Sequence, residues 1–140
     1  GGCDKTGVCV FKDDIWNIYE HVEKAYGLIM SAPIFFASMS AQLKTFIDRA
    51  QPFWARKYLL NQKPAVAGQK GFFISVGAIK TDRYFENARL IVKTHMKMLE
   101  MEYSGDLFFS GADKKGDINN LSGALEAAAE AGKKFIEVNR

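Results

Sequence analysis

Residues 31–49 read Ser-Ala-Pro-Ile-Phe-Phe-Ala-Ser-Met-Ser-Ala-Gln-Leu-Lys-Thr-Phe-Ile-Asp-Arg, and the first half of that run combines the residue types that hold a large flat heterocycle. Such a ring has apolar faces and a polar edge. It needs apolar side chains against the faces and backbone amides aimed at the edge. Pro33 fixes the direction of the chain, Phe35 and Phe36 offer area, and Ser38 with the amides of a helix start supplies donors. A second segment, Gly77-Ala78-Ile79-Lys80, joins a glycine that permits close backbone approach to a lysine that, with Arg83, can meet an anion. Each feature has a plainer alternative. Phe35, Phe36 and Met39 also suit a core or an interface, residues 77–80 suit a simple turn, and isolated cations are commonly just solvated. Cys3 and Cys9 are thiols in a Gly-rich opening, badly placed to staple a domain of this size and too few for a zinc site of their own. His21 and His95 have no acidic or nucleophilic partner at a telling spacing, so neither is expected to be catalytic.

The elements that position these residues follow from periodicity. Asp13 and Asp14 precede Ile15, Ile18, Tyr19, Val22 and Tyr26, one apolar face of a first helix with acids at its positive end. Residues 27–32 are apolar without alternation up to Pro33, as in a strand buried on both faces of a parallel sheet. Ser38 and Ser40 are placed to cap a second helix with Leu43, Phe46, Ile47 and Ala50 on one face, ending near Pro52, with Lys44 and Asp48 paired at i,i+4 on another. Residues 53–69 are aromatic and basic, contain Pro64 and Gly68, and are expected to be a partly ordered loop. Residues 71–77 repeat the buried-strand pattern, and Phe85, Ala88, Val92, Met96 and Leu99 mark a third helix. Residues 102–109 read as a third strand broken at Gly105, residues 111–116 as a turn-rich loop, and Leu121, Leu125, Ala128, Gly132, Phe135 and Ile136 as the buried stripe of a last helix. Alternation of helix and strand under the right-handed crossover rule predicts an α/β fold, a parallel sheet covered on both faces. Ligands in such folds sit beyond the carboxyl ends of the strands, so the segments after Ala32, Gly77 and Phe109 are where chemistry is expected.

The run 31–49 resembles the strand-loop-helix signature of the NADPH-dependent FMN reductase and iron-sulfur flavoprotein family, in which a Ser-Pro-x-Tyr-Phe-Gly-Ser-Met-Ser-Ala-Gln-Leu-Lys-like stretch leads into Phe-Ile-Asp-Arg. Ala32 stands where Ser or Thr is common, Phe35 where Tyr is common and Ala37 where Gly is common, so some polar contacts of the usual site are expected to be absent. The resemblance implies a flavodoxin-like, doubly wound, three-layer α/β/α domain over residues 1–140. It also implies an FMN ring held by Ala32, Pro33, Ile34, Phe35, Phe36, Ser38 and Met39, with Gly77 and Ala78 as a second wall, NAD(P)H as the reductant and a flavin or quinone as acceptor. Asp48 and Arg49 are a landmark of the family and are expected to be structural. The stretch from Gly1 to Cys9 is similar to the tail of the cysteine motif that holds a [4Fe-4S] cluster in iron-sulfur flavoproteins, with only Cys3 and Cys9 present. Four thiolates normally hold such a cluster, so free thiols are as well supported as ligation unless another segment or subunit supplies the rest.

Set against the flavodoxin-like strand order 2-1-3-4-5, the chain aligns from the connection after the second strand onward. The first strand, its phosphate-binding loop, the first helix and the second strand have no counterpart, so three strands are expected, with an open edge on the first of them. The chain is read as the C-terminal two thirds of a longer domain, with weak flavin affinity of its own. Two other readings stay open beside the reductase. One is an electron carrier that exchanges electrons with a ferredoxin-like redox partner protein, and the other is a subunit that keeps the fold without the flavin. The family resemblance implies a homo-oligomer, for which Phe53, Trp54 and Tyr58 offer an aromatic surface. A formal charge of +3 scattered over 140 residues argues against nucleic acid. No apolar run approaches the roughly 20 residues of a membrane span, and a cytoplasmic protein is expected.

Overall fold

The apolar segments read as strands do lie side by side, and the computed structural model describes residues 1–64 and 66–138. In chain order the elements are α1 (Ile15–Lys24), β1 (Gly27–Phe35), β2 (Ser38–Met39), α2 (Ala41–Asp48), α3 (Gln51–Tyr58), β3 (Lys70–Gly77), α4 (Arg83–Met98), β4 (Glu102–Ser110), a 3-10 turn (Asp117–Asn120) and α5 (Ala124–Val138). The sheet order is β2-β1-β3-β4. β1 runs parallel to β3 with Met30 beside Phe73 and Pro33 beside Val76, and β3 runs parallel to β4. The expected three parallel strands are present, and a fourth, two-residue strand adds to them. β2 folds back antiparallel on the end of β1, pairing Ile34 with Met39 and Phe35 with Ser38.

One face of the sheet carries the core. Met30, Ala32 and Phe73 pack there against Tyr19 and Val22 of α1, Phe53 of α3, and Ala88, Val92 and Met96 of α4. Burying each of the Val, Met and Phe side chains stabilises by about 1.5–3 kcal/mol. Side chains alternate along a strand, so Phe72 faces the opposite side, where its ring meets Phe135 of α5 at 6.1 Å. Helices thus lie on both faces. α5 lies over β3 and β4, however, and leaves Ile29, Ser31 and Pro33 exposed on that side of β1. The expectation that β1 is buried on both faces therefore fails on one of them. Among the described residues the outer edge of β1 is paired only at Ile34 and Phe35, so the open edge expected from the sequence runs along the rest of the strand.

Five local expectations need correction. Residues 51–58 form helix α3, with Pro52 in its first turn where a missing amide costs nothing. The aromatic and basic composition that suggested a loop is the signature of a helix with Phe53 inside and Trp54 and Tyr58 outside. Phe53 is 8% exposed and stands 4.9 Å from the Tyr19 ring, so it belongs to the core and not to an aromatic surface. β4 is not broken at Gly105; it continues through a register shift opposite Gly71 and Phe72, and Gly105 takes φ 147°, a conformation open chiefly to glycine. Ser38 lies in β2, and Ser40 alone caps α2, its Oγ accepting from the Leu43 amide at 3.4 Å. Finally, Leu121 precedes α5 as part of the 3-10 turn's end, so the last helix starts at Ala124.

His95 is a core residue. It points from α4 into the core at 2% exposure, edge-on to Phe46 at 5.4 Å. Neither ring nitrogen has a hydrogen-bond partner among the described residues. Burial pulls its pKa down to about 4, so it is neutral across the physiological range.

Candidate functional site

β1, β3 and β4 all end at one rim, and every turn there is pinned by hydrogen bonds to its backbone groups. β1 leaves the core at Pro33 and reverses through Phe36 and Ala37, which have φ 47° and 59°. Two consecutive left-handed residues between paired strands make the primed type of hairpin turn, whose twist suits the sheet and which glycine or asparagine normally supplies. Ala37 pays the side-chain penalty that the more usual Gly avoids, about 1–2 kcal/mol. The turn is held from outside as well, because Asn87 of α4 donates its Nδ2 to the Ala37 carbonyl at 3.1 Å.

The second turn leaves β3 at Gly77. Its carbonyl accepts from the amides of Gly111 and Ala112 at 2.7 and 3.2 Å, which ties the ends of β3 and β4 together. A side-chain carbon at Gly77 would stand 3.2 Å from the Phe85 ring, a tight contact to which the ring must yield, and 3.5 Å from Ile34, an ordinary one, so glycine eases the close approach of the two turns. The third segment follows β4. Asp117 Oδ2 accepts from the amides of Asp113 and Lys114 at 3.0 and 2.7 Å, fixing the 112–116 loop, and these two bonds hold the Asp117 carboxyl below its ordinary range.

Two hollows meet over these turns. One, of about 500 Å³, is lined by Ile34, Phe35, Phe36, Ala37, Gly77, Ala78, Ile79, Thr81, Tyr84 and Phe85. The other, of about 430 Å³, runs from Pro33, Ile34 and Phe35 past Gly77 and Ala78 to Asp113, Lys114 and Lys115. Both lie within the size range of small-molecule sites. The walls are mostly apolar, Phe36 is fully exposed and Phe35 is 58% exposed, so flat hydrophobic area faces solvent at the rim. The sequence-predicted residues Pro33, Ile34, Phe35, Phe36, Gly77 and Ala78 come together here, whereas Ala32 and Met39 turn their side chains into the core at 5% exposure each. The Ala32 carbonyl accepts a 2.6 Å hydrogen bond from Ser75 Oγ, and Ser38 is half-buried in its pairing with Phe35. Sequence reasoning missed Asn87 and Asp117. An asparagine one turn into a helix and an acid in a polar loop have no signal of their own until the turn they hold is known.

The cysteine segment lies elsewhere, against the outer side of α1, α2 and α3. Arg49 forms a two-pronged pair with Asp13 at 2.7 and 3.0 Å, reaches Cys9 Sγ at 3.8 Å and sits over the Phe11 ring. Hydrogen bonding to Arg49 holds Asp13 below the usual carboxylate range. Arg56 donates to the Gly7 carbonyl at 2.8 Å and pairs with Glu23. Arg49 thus has the structural role expected of it, while Asp48 only pairs with Lys44 on the helix surface. Among the described residues no group of three or more Cys, His, Asp or Glu side chains is arranged to hold a metal. Two thiols do not complete the ligation of a [4Fe-4S] cluster.

The NADPH-dependent FMN reductase family model matches residues 2–106, spanning the cysteine segment, the 33–37 turn and the 77–80 turn. The iron-sulfur flavoprotein MJ1083 of Methanocaldococcus jannaschii is 30% identical over 97% of this chain and 70% of its own length. An iron-sulfur flavoprotein of Archaeoglobus fulgidus and one of Methanosarcina thermophila are each 33% identical, over 56% and 58% of this chain and 32% and 42% of their own lengths. Among solved structures, the Trp repressor binding protein from Bacillus subtilis superposes with a TM-score of 0.67 at 22% identity, covering 86% of this chain and 72% of that one. A flavone reductase gives 0.56 at 15% identity over 95% of this chain and 46% of its own. These two likenesses establish a shared fold, the flavodoxin-like α/β arrangement expected from the sequence. No described helix is long and apolar enough to cross a membrane.

Proposed function

The chain belongs to the NADPH-dependent FMN reductase family, and on that premise we propose that it contributes the ring-binding side of an FMN site and works as an NAD(P)H-dependent oxidoreductase with a flavin or quinone acceptor. One observation carries the reading: the 33–37 turn and the 77–79 turn are locked side by side at the carboxyl rim, with open apolar hollows over them. FMN, when bound, supplies hydride acceptance and electron release, and the protein's part is binding and orientation. Phe35 and Ile34 offer apolar area for the ring, and the left-handed turn at Phe36 and Ala37 aims backbone groups outward at its edge. Gly77 and Ala78 leave the floor of the cleft free of bulk. No side chain at the rim needs to act as an acid or base. The unpaired edge of β1 supports association with another segment or another copy, the homo-oligomer implied by the family.

Titration of the purified chain with FMN, followed by flavin fluorescence, tests the reading. We expect saturable quenching, and bleaching of the bound flavin by NADPH without oxygen or a partner protein. A folded chain that leaves FMN fluorescence unchanged at every concentration would sink the proposal. Bound FMN that NADPH fails to bleach would leave the site standing and remove the reductase activity.

A further inference from the structure

We propose that the hollow at the amino ends of β3 and β4 is a second ligand site, which takes an uncharged aromatic molecule carrying one hydroxyl or N–H donor. Its volume is about 310 Å³, at the low end for small-molecule sites, and none of its lining residues borders the rim cleft. It lies at the opposite end of the sheet from that cleft, so the proposal stands whether or not the rim holds a flavin.

The floor of the hollow is apolar. Val22, Phe53, Leu99 and Met101 line it and are each at most 8% exposed. Phe53 and the thioethers of Met98 and Met101 favour an aromatic body over an aliphatic one. One polar side chain is sunk among them. Gln69 is 4% exposed, and its Nε2 donates to the carbonyls of Val22, Glu23 and Ala25 at the end of α1. Three carbonyls around one nitrogen fix which way the amide is turned. Oε1 therefore lies on the other side of the amide from these carbonyls, and among the described residues nothing donates to it. An amide oxygen of a buried side chain that lacks a donor is costly, and a hydroxyl or N–H on a ligand satisfies it.

The walls leave little for an ion. Arg56 pairs with Glu23, and Lys57 with Glu100 at 3.3 Å, so two cations and two acids cancel. Lys63, without an ion-pair partner among the described residues, is set against the partial negative charge of α1, α3 and α4, whose carboxyl ends all border the hollow. The shape is also fixed in advance. Gln69 holds the end of α1, its backbone carbonyl accepts from the Glu102 amide at 2.9 Å, and Lys57 donates to the Lys97 carbonyl at 2.8 Å.

Nuclear magnetic resonance titration of the nitrogen-15-labelled chain tests the site with three probes. These are 2-naphthol, 2-methoxynaphthalene, which lacks the donor, and 6-hydroxy-2-naphthoate, which keeps it and adds a negative charge. We expect 2-naphthol to shift the Gln69 side-chain amide and the backbone amides of Leu99 and Met101 saturably, without moving those of Gly77 and Ala78. The probe without a donor should bind about tenfold more weakly, the loss expected when one buried polar group is left unpaired, and the charged probe should also bind more weakly. Met98→Trp, which places a ring in the hollow from a partly exposed position on α4, should weaken 2-naphthol by about tenfold or more. Shifts confined to Gly77 and Ala78, equal affinity for 2-naphthol and either other probe, or undiminished binding to Met98→Trp would overturn the proposal. If Met98→Trp lowers the thermal midpoint, the probe ranking and the shifts of the parent decide alone.

Discussion

Replacing His95 with Leu should raise stability at neutral pH and remove a specific part of the protein's sensitivity to acid. His95 is 2% exposed, and among the described residues neither ring nitrogen is hydrogen-bonded. Its pKa falls from 6.5 to about 4 through burial alone. Because the folded value lies below the unfolded one, the unfolded chain binds more protons between those two pH values. Stability from this group is complete above the unfolded value, is lost as pH falls toward 4, and falls no further below that. The difference of pKa values corresponds to a loss of about 3 kcal/mol across the interval, a large share of the 5–15 kcal/mol typical of a domain. Leu has a similar volume and no polar atoms, so at neutral pH the substitution should add about 1–2 kcal/mol by removing unpaired buried nitrogens. Urea unfolding of both proteins from about pH 7.5 to about 4.5 measures the effect as the gap between the two stability curves. Carboxylates such as Asp106 and Asp13 cancel in that difference, since both proteins carry them. Burial alone would raise Asp106, but Arg89 and Tyr103 outweigh it and hold the carboxyl low. A widening gap as pH falls is the expected result. Parallel curves would show that His95 is hydrogen-bonded or hydrated in the folded state, and the reasoning would fail.

Two further outcomes concern the turns. Ala37→Gly should stabilise the chain by about 0.5–1 kcal/mol, the left-handed penalty at φ 59° less the extra freedom of unfolded glycine, read as a higher thermal midpoint. A lower midpoint would mean the alanine methyl packs better than its backbone is strained. Arg56→Leu should free the Gly7 carbonyl and the Glu23 carboxylate and speed hydrogen exchange over residues 1–14 while leaving β3 protected; unchanged exchange would show that Arg49 alone holds the segment.

The sequence made the alternation of helices and strands legible because the parallel strands carry apolar runs and the helices carry apolar stripes. The segment between α2 and β3 was misread for a physical reason. Gln51–Tyr58 holds a proline, three aromatics and two cations, a composition typical of loops, and its helical state depends on Phe53 finding Tyr19 and on Arg56 and Lys57 finding Glu23 and Glu100. Such partners are distant in sequence. β2 was invisible for a related reason, since two residues make no pattern and the turn before it lacks the Asn-Gly pair that announces a hairpin. The rim residues were readable because Pro33, Phe35, Phe36 and Gly77 have types that matter wherever they sit. Asn87 and Asp117 were not, because their roles come from which backbone groups the fold brings within reach.

The three turns of the rim share a property that bears on how a ligand would bind. Each is held by bonds to the protein itself: Ala37 by Asn87, Gly77 by the amides of Gly111 and Ala112, and the 112–116 loop by Asp117. The cleft therefore exists before anything enters it, and little backbone ordering is left to oppose association, a cost that otherwise takes about 1–2 kcal/mol for each residue whose backbone is fixed. Asn87→Ala tests this directly. The Asn87 bond is exposed, so its loss should lower global stability only slightly, by about 0.5–1 kcal/mol. The left-handed pair at Phe36 and Ala37 would then be held only by the short pairing with β2, and the turn should relax toward less strained backbone. Preorganisation predicts a loss of FMN affinity of about tenfold, more than the stability change accounts for, with the added cost appearing as a less favourable binding entropy in calorimetry. An affinity equal to the parent's would mean that the turn holds its shape unaided, and that Asn87 is a surface contact of no consequence for the site.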